Sequence, residues 1–337
     1  MQEAGYYHKL SENSVRCNLC PHQCIISEGK PGLCRVRSYQ NGMLISNNYG
    51  KLSAIAVDPV EKKPLYHFYP GENILSIGSV GCNMHCTNCQ NQNISQCIGI
   101  SAEQTNSYTQ KELAAMIRNK SIQLLAFTYN EPIVFYEFIY DFATRFQPGG
   151  TECVMVTNGY IMQEPLKRLL PYIDAFNVDL KSYSNTFYKK ITGATLKPVL
   201  QTIETILKSH KLIEITYLVI PGLNDDPKEF RKLAEFLGKI AGRSQVLHLS
   251  RYFPGYKMKL PPTPLTILQE LREIAREELD FVYIGNTGEE FDTNTYCPGC
   301  DKMLISRNYY HTTITGMTGN RCSSCGTEIH GKFRNND

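Results

Sequence analysis

A chain of 337 residues with 42% apolar content can bury one large domain and a small appendage. The formal net charge is only +3 and the lysines and arginines are scattered, so no basic stripe argues for nucleic acid. No early basic-then-apolar segment suggests a secretory signal and no apolar run reaches membrane-spanning length, which makes membrane association unexpected. Of thirteen cysteines, only Cys97 and Cys153 stand alone; the rest fall into three tight clusters containing C-x2-C pairs. That grouping suits metal binding in a reducing compartment better than a disulfide scaffold, so a cytoplasmic location is expected.

In chain order, the first cluster is Cys17, Cys20, Cys24 and Cys34, with Pro31 and Gly32 turning the chain before the fourth thiol. The segment is too polar to hold its shape by burial, and four thiols make it a compact metal knuckle. Zinc (Zn) would make it a structural clasp, and an auxiliary iron–sulfur cluster would make it an electron relay. Both accept four cysteines; the spacing differs from ferredoxin runs, which favours zinc without excluding the cluster. Alternating residues through 43–46 and 52–57 predict a short hairpin leading into the main domain.

From Ile74 the pattern changes to apolar runs at 74–79, 123–129, 152–157, 175–180, 212–220, 245–252 and 281–284. Amphipathic stretches lie between them, such as Phe230, Leu233, Ala234, Leu237 and Ile240. Alternating strands and helices imply a parallel sheet with right-handed crossovers. The count of runs suits a curved, partial β/α barrel, and an open doubly wound sheet is the alternative on pattern alone. A barrel places its functional residues where strands end, at the carboxyl face.

The first run ends at Cys82, Cys86 and Cys89, three thiols at C-x3-C-x2-C spacing. Thiolates are soft ligands for iron–sulfur clusters, zinc or cuprous copper. A closed structural zinc site wants four protein ligands, whereas a four-iron cluster on three cysteines leaves one iron open. A zinc loop would need a fourth ligand such as His85 or Cys97. The motif, with Gly81-Cys82-Asn83 and Cys89-Gln90-Asn91, resembles the radical S-adenosyl-L-methionine (SAM) superfamily. Its nearest likeness is to pyruvate formate-lyase activating enzyme-like proteins, and within them to the radical SAM component of AmmeMemoRadiSam systems.

The resemblance implies a TIM-like partial barrel carrying a [4Fe-4S] cluster, with SAM chelating the open iron through its amino and carboxylate groups. It implies reductive cleavage of SAM to methionine and a 5′-deoxyadenosyl radical that abstracts a substrate hydrogen, in activating enzymes from a glycine of a partner protein. The cofactor contacts it implies are Glu131 for the SAM amino group, the Asn158 turn, Asp179 and Lys181 on one face of a strand, and Arg251. The loop at Pro221 and Gly222 is expected near the methionine and adenine moieties, and Asn286 is a further candidate contact. Four positions depart from the family pattern. Asn88 stands where an aromatic lies against adenine, Tyr129 and Asn130 replace two glycines, and Val156 replaces an aspartate at a monovalent cation site. An electron donor such as flavodoxin or ferredoxin, and partners of the Memo and AMMECR types, follow from the same resemblance. His248, alone in a strand, is expected to be a satisfied core residue.

The tail carries Cys297, Cys300, Cys322 and Cys325 as two C-x2-C knuckles separated by a tyrosine- and threonine-rich segment, a zinc-ribbon pattern. The fragment is too short for its own core, so the metal must supply folding energy. The expected organisation is a knuckle and hairpin over 1–70, a barrel over 71–290 and a separate ribbon over 291–337. Two other functions fit the same residues: a radical SAM enzyme acting on a small molecule, and a zinc-scaffold binding protein without catalysis.

Overall fold

Ala54–Pro59 (β1) and Asn73–Gly78 (β2) pair antiparallel at one edge of an eight-stranded sheet. The strands that follow all run parallel to β2: Leu124–Phe127 (β3), Glu152–Thr157 (β4), Ala175–Asp179 (β5), Leu212–Val219 (β6), Val246–Arg251 (β7) and Phe281–Gly285 (β8). The structure, a computed structural model, describes residues 2–97, 104–288, 291–308 and 311–334. The end of the expected barrel range at 290 lies outside the described residues.

The spatial order runs β1 to β8 without reversal, and the two end strands do not pair with each other. A doubly wound sheet reverses its order at a switch point, so the sequential order identifies a partial barrel. Gln110–Asn119 (α1), Tyr136–Phe146 (α2), Gln163–Leu169 (α3), Leu196–Lys208 (α4), Pro227–Ala241 (α5) and Leu265–Arg276 (α6) alternate with the strands. Local chemistry starts and stops them. In α5, Asp226 accepts the Glu229 N–H, Pro227 opens the first turn and Gly242 closes the helix at φ 77°. Phe230, Leu233, Ala234 and Leu237 form its buried stripe.

Side-chain alternation sends Ile213, Ile215 and Tyr217 of β6 into the helix-facing core, while Glu214, Thr216 and Leu218 take the other face. Glu214 is completely buried and binds His248 at 2.6 Å. It also accepts the backbone N–H groups of Tyr66 and His67 at 2.9 and 2.8 Å, so the 60–69 segment closes the base of the barrel. His248 is thus a satisfied core histidine, as its place in a strand suggests.

The expected hairpin of 43–46 with 52–57 does not form. Met43–Ser46 pairs instead with Arg37–Gln40 and Gln2–Glu3, and β1 pairs with β2 of the main sheet. Both segments alternate, and alternation specifies a half-buried strand but not its partner. The tail also differs from a separate unit. Its strands Thr295–Tyr296, Met303–Asn308 and His311–Ile314 form a small sheet. Cys297, Leu304, Ile305, Cys322 and Ile329 share one apolar cluster with Val246, Phe281 and Tyr283 of β7 and β8. Arg307 adds a polar tie, donating to the Tyr66 carbonyl at 2.8 Å and stacking over the Tyr66 ring.

Candidate active site

The carboxyl ends of the strands converge on one cleft of about 250 Å³. The cysteine loop after β2 forms one wall and is held at its base by Asn130. That side chain accepts the Ser79 N–H at 2.9 Å and donates to the Gly81 carbonyl at 2.9 Å. Gly81 adopts φ 88°, and a Cβ there would stand 2.7 Å from the Cys34 carbonyl oxygen, so only glycine fits. Farther along, His85 and Thr87 donate their backbone N–H groups to Thr192 and Ile191. Cys82, Cys86 and Cys89 all line the cleft.

Burial, and then the charge of Glu131, hold the Cys82 thiol well above its ordinary range. Burial pushes Cys86 up to about 11 against the pull of Lys181. Thiols placed this way become thiolates only beside a concentrated positive charge, which the iron of a cluster supplies. The donor set therefore fits the group. Neither His85 nor Cys97 lines the cleft with the thiols: His85 Nδ1 pairs with Gln96 Oε1 at 2.8 Å, and Cys97 donates to the Ile94 carbonyl.

Glu131, at the end of β3, is 3% exposed. One carboxylate oxygen accepts from Ile133 N and Thr157 Oγ1, and among the described residues the other accepts only from Asn158 N at 2.8 Å. A carboxylate offers about four acceptor positions, so one remains toward the cleft. Burial raises its pKa to about 7 despite those donors. Asn158 leans the other way: its amide donates to Asn83 Oδ1 at 2.9 Å and reaches Cys82 Sγ at 3.8 Å. At the end of β5, Lys181 Nζ meets Asp179 Oδ2 at 3.1 Å, both facing the cleft. Burial works against the ammonium, but Asp179 and the Cys86 sulfur outweigh it and hold its pKa above the ordinary range.

The structure thus brings together the three cysteines, Glu131, Asn158, Asp179 and Lys181, with Asn88 and Asn286 on the rim. It leaves Arg251 outside: the guanidinium donates to the Thr263 carbonyl at 2.9 Å and lies over Phe253. Alternation along β7 is the reason, because Ser250 takes the cleft face and its neighbour takes the other. Pro221 and Gly222 do not line the cleft either; Asn224 of that loop instead donates to the Lys181 and Leu218 carbonyls at 2.8 Å. Thr216 and Leu218 of β6 are lining residues that motif reading passed over, and Tyr129, noted there only as a replaced glycine, lines the cleft with them. The alternation of β6 was the signal that pointed to the first two.

Away from the cleft, the four ribbon sulfurs lie within 4.8 Å of one another, with pairs Cys297–Cys325 at 3.5 Å and Cys300–Cys322 at 3.7 Å. Tetrahedral zinc with Zn–S near 2.3 Å places sulfurs about 3.8 Å apart, so this set can hold a metal such as zinc. Among the described residues, no helix is long and apolar enough to cross a membrane.

Residues 76–237 match the radical SAM superfamily. An uncharacterised protein of Methanocaldococcus jannaschii is 41% identical over 333 residues, spanning 98% of this chain and 99% of that protein. The 4-hydroxyphenylacetate decarboxylase activating enzyme of Clostridium scatologenes is 28% identical over 46% of this chain and 50% of its own length. The pyruvate formate-lyase 1-activating enzyme of Escherichia coli is 26% identical over 46% of this chain and 65% of its own. The chain therefore spans between half and two-thirds of the length of these two activating enzymes. A radical SAM methyltransferase from Sphaerobacter thermophilus shares the fold, with a TM-score of 0.52 and 12% identity over 87% of this chain and 78% of that one. With the sequential barrel, the cysteine loop at its mouth and a relative matching along nearly the whole chain, this protein belongs to the radical SAM superfamily and is an enzyme of that class.

Proposed function

We propose that Cys82, Cys86 and Cys89 hold the [4Fe-4S] cluster of this radical SAM enzyme and that SAM lies across the cleft between Glu131 and Lys181. The reading is carried by one observation: three thiols, a buried carboxylate with a remaining acceptor position and an Asp179–Lys181 pair all line the same cleft. When bound, the cluster supplies the electron that divides SAM into methionine and a 5′-deoxyadenosyl radical. Glu131 accepts a hydrogen bond from the SAM ammonium, Lys181 faces the SAM carboxylate, and Asn158 steadies the sulfur of Cys82. The partial barrel walls keep water from the reacting centre.

The substrate class proposed is a partner protein, as the names of the related activating enzymes suggest for those proteins. Flavodoxin or ferredoxin would serve as electron donor, and Memo-type and AMMECR-type proteins are the partners that the family resemblance supports. The test is anaerobic reconstitution followed by reduction with dithionite. Wild type should release methionine and 5′-deoxyadenosine, and Cys82→Ala, Cys86→Ala or Cys89→Ala should each abolish release, because two thiolates cannot hold the cluster. Full cleavage in any of the three variants would sink the assignment.

A further inference from the structure

Cys17, Cys20, Cys24 and Cys34 line one cavity, and Asn83 of the catalytic loop lines it with them. The knuckle is pinned from within: Cys17 N donates to the Cys24 carbonyl at 3.0 Å, and Gln23 N to the Cys20 carbonyl at 3.1 Å. Gly32 packs closely here: a Cβ would meet Ile26 Cδ1 at 3.0 Å. Two contacts join the knuckle to the loop on either side of Cys82. His22 Nε2 pairs with the Asn83 carbonyl oxygen at 2.7 Å, and the Cys34 carbonyl lies directly against Gly81. Arg37, 1% exposed, donates to Cys17 Sγ at 3.4 Å and pairs with Glu137 of α2.

Sulfur spacing separates the two metals this knuckle can take. The ribbon sulfurs close to the distances of a single tetrahedral ion. Among the described residues no other group of three or more ligand atoms closes within 4.8 Å. No three of the knuckle sulfurs therefore lie mutually within 4.8 Å, and neither do the three of the catalytic loop, whereas sulfurs on one tetrahedral zinc stand about 3.8 Å apart. A [4Fe-4S] cluster binds each of four thiolates through a different iron and needs that wider frame.

We propose that Cys17, Cys20, Cys24 and Cys34 hold a second iron–sulfur cluster that passes single electrons to the catalytic one; the relay rests on the reading of Cys82, Cys86 and Cys89 given above. A reduced flavodoxin or ferredoxin loses one electron to the second cluster, which then loses it to the catalytic cluster, with no bond made or broken at the relay. The Arg37 N–H···S contact favours the added negative charge of the reduced state. Ile25 and Leu33, 61% and 49% exposed beside Cys24 and Cys34 in the chain, give the knuckle an apolar outer surface against which a redox protein can dock.

The full chain and a Cys82→Ala/Cys86→Ala/Cys89→Ala variant, both reconstituted anaerobically with iron and sulfide, test the proposal. The triple variant should keep iron with matching sulfide and a reduced-cluster paramagnetic signal, and wild type should hold about twice as much iron. A triple variant holding zinc in place of iron overturns the second cluster and leaves the reading of Cys82, Cys86 and Cys89 standing. Equal iron in the two proteins would overturn the catalytic reading, and with it the relay. In Cys20→Ser, SAM cleavage driven by reduced flavodoxin should fall by about tenfold or more, while dithionite-driven cleavage per catalytic cluster should stay within about twofold. Unchanged flavodoxin-driven cleavage would overturn the relay.

Discussion

Glu131 and Lys181 follow different strands, yet both line one cleft. Each supplies one charge-assisted contact to SAM in the proposed pose, worth about 1.5–3 kcal/mol, or roughly tenfold to a hundredfold in affinity. Glu131→Ala and Lys181→Ala should therefore keep their iron and weaken SAM binding by that factor in equilibrium titrations of the cluster-loaded protein. Identical affinities in all three proteins would show that both side chains serve only the scaffold. Both residues were readable from their motifs, but their second roles were not. Glu131 also fastens the Thr157 turn, and Lys181 is steadied by Asn224 through its backbone carbonyl. Tyr129 departs from the family's glycine and keeps a glycine-like φ of 69°. Its hydroxyl donates at 2.8 Å to Asp58, 71 positions away in sequence and itself paired with the buried Lys63.

Among the elements, the 60–69 segment links the barrel to the ribbon. His67 is completely buried, with Nδ1 against the His330 carbonyl and Nε2 against the Tyr283 hydroxyl, both at 2.9 Å. Burial lowers its pKa to about 4, against about 6.5 for an unfolded histidine. Between those values the unfolded chain binds a proton that the folded chain refuses, so stability falls as pH drops through the window. Glu214 is held below its ordinary range by His248, burial notwithstanding, and its contribution is lost in the same acid direction. For His67 alone the loss should reach about 2 kcal/mol by pH 5. Urea unfolding followed by tyrosine emission at pH 7 and pH 5 measures it, with His67→Gln as control. A variant as acid-sensitive as wild type would rule out His67 as the source. Nothing local in the sequence marks this histidine, because its partners come from the barrel's last strand and from the tail.

The whole molecule is more continuous than its cysteine clusters suggest. Val246, Phe281 and Tyr283 of the barrel pack with Cys297, Leu304 and Cys322 of the ribbon, so a metal held by the four ribbon sulfurs would also support this part of the sheet. Cys322→Ser should abolish ribbon zinc and lower the melting temperature of the main transition, while SAM cleavage per intact cluster at low temperature changes little. A barrel transition left in place beside a lost ribbon transition would show two independent units. The amino-acid sequence by itself determined the features that depend on near neighbours along the chain. These are the C-x3-C-x2-C loop, the C-x2-C ribbon knuckles, the alternation of strand and helix, and charged residues at strand ends. Thiol spacing and hydrophobic period are local quantities, and local sequence sets them. Tertiary structure decided the rest: the pairing of β1 with β2, the turning of Arg251 away from the cleft, the burial of His248 against Glu214, and the docking of the ribbon under β7 and β8. It also decided how far apart the knuckle sulfurs stand. Each of these depends on which distant surface an element meets, and an alternating strand carries no record of its partner until packing selects one.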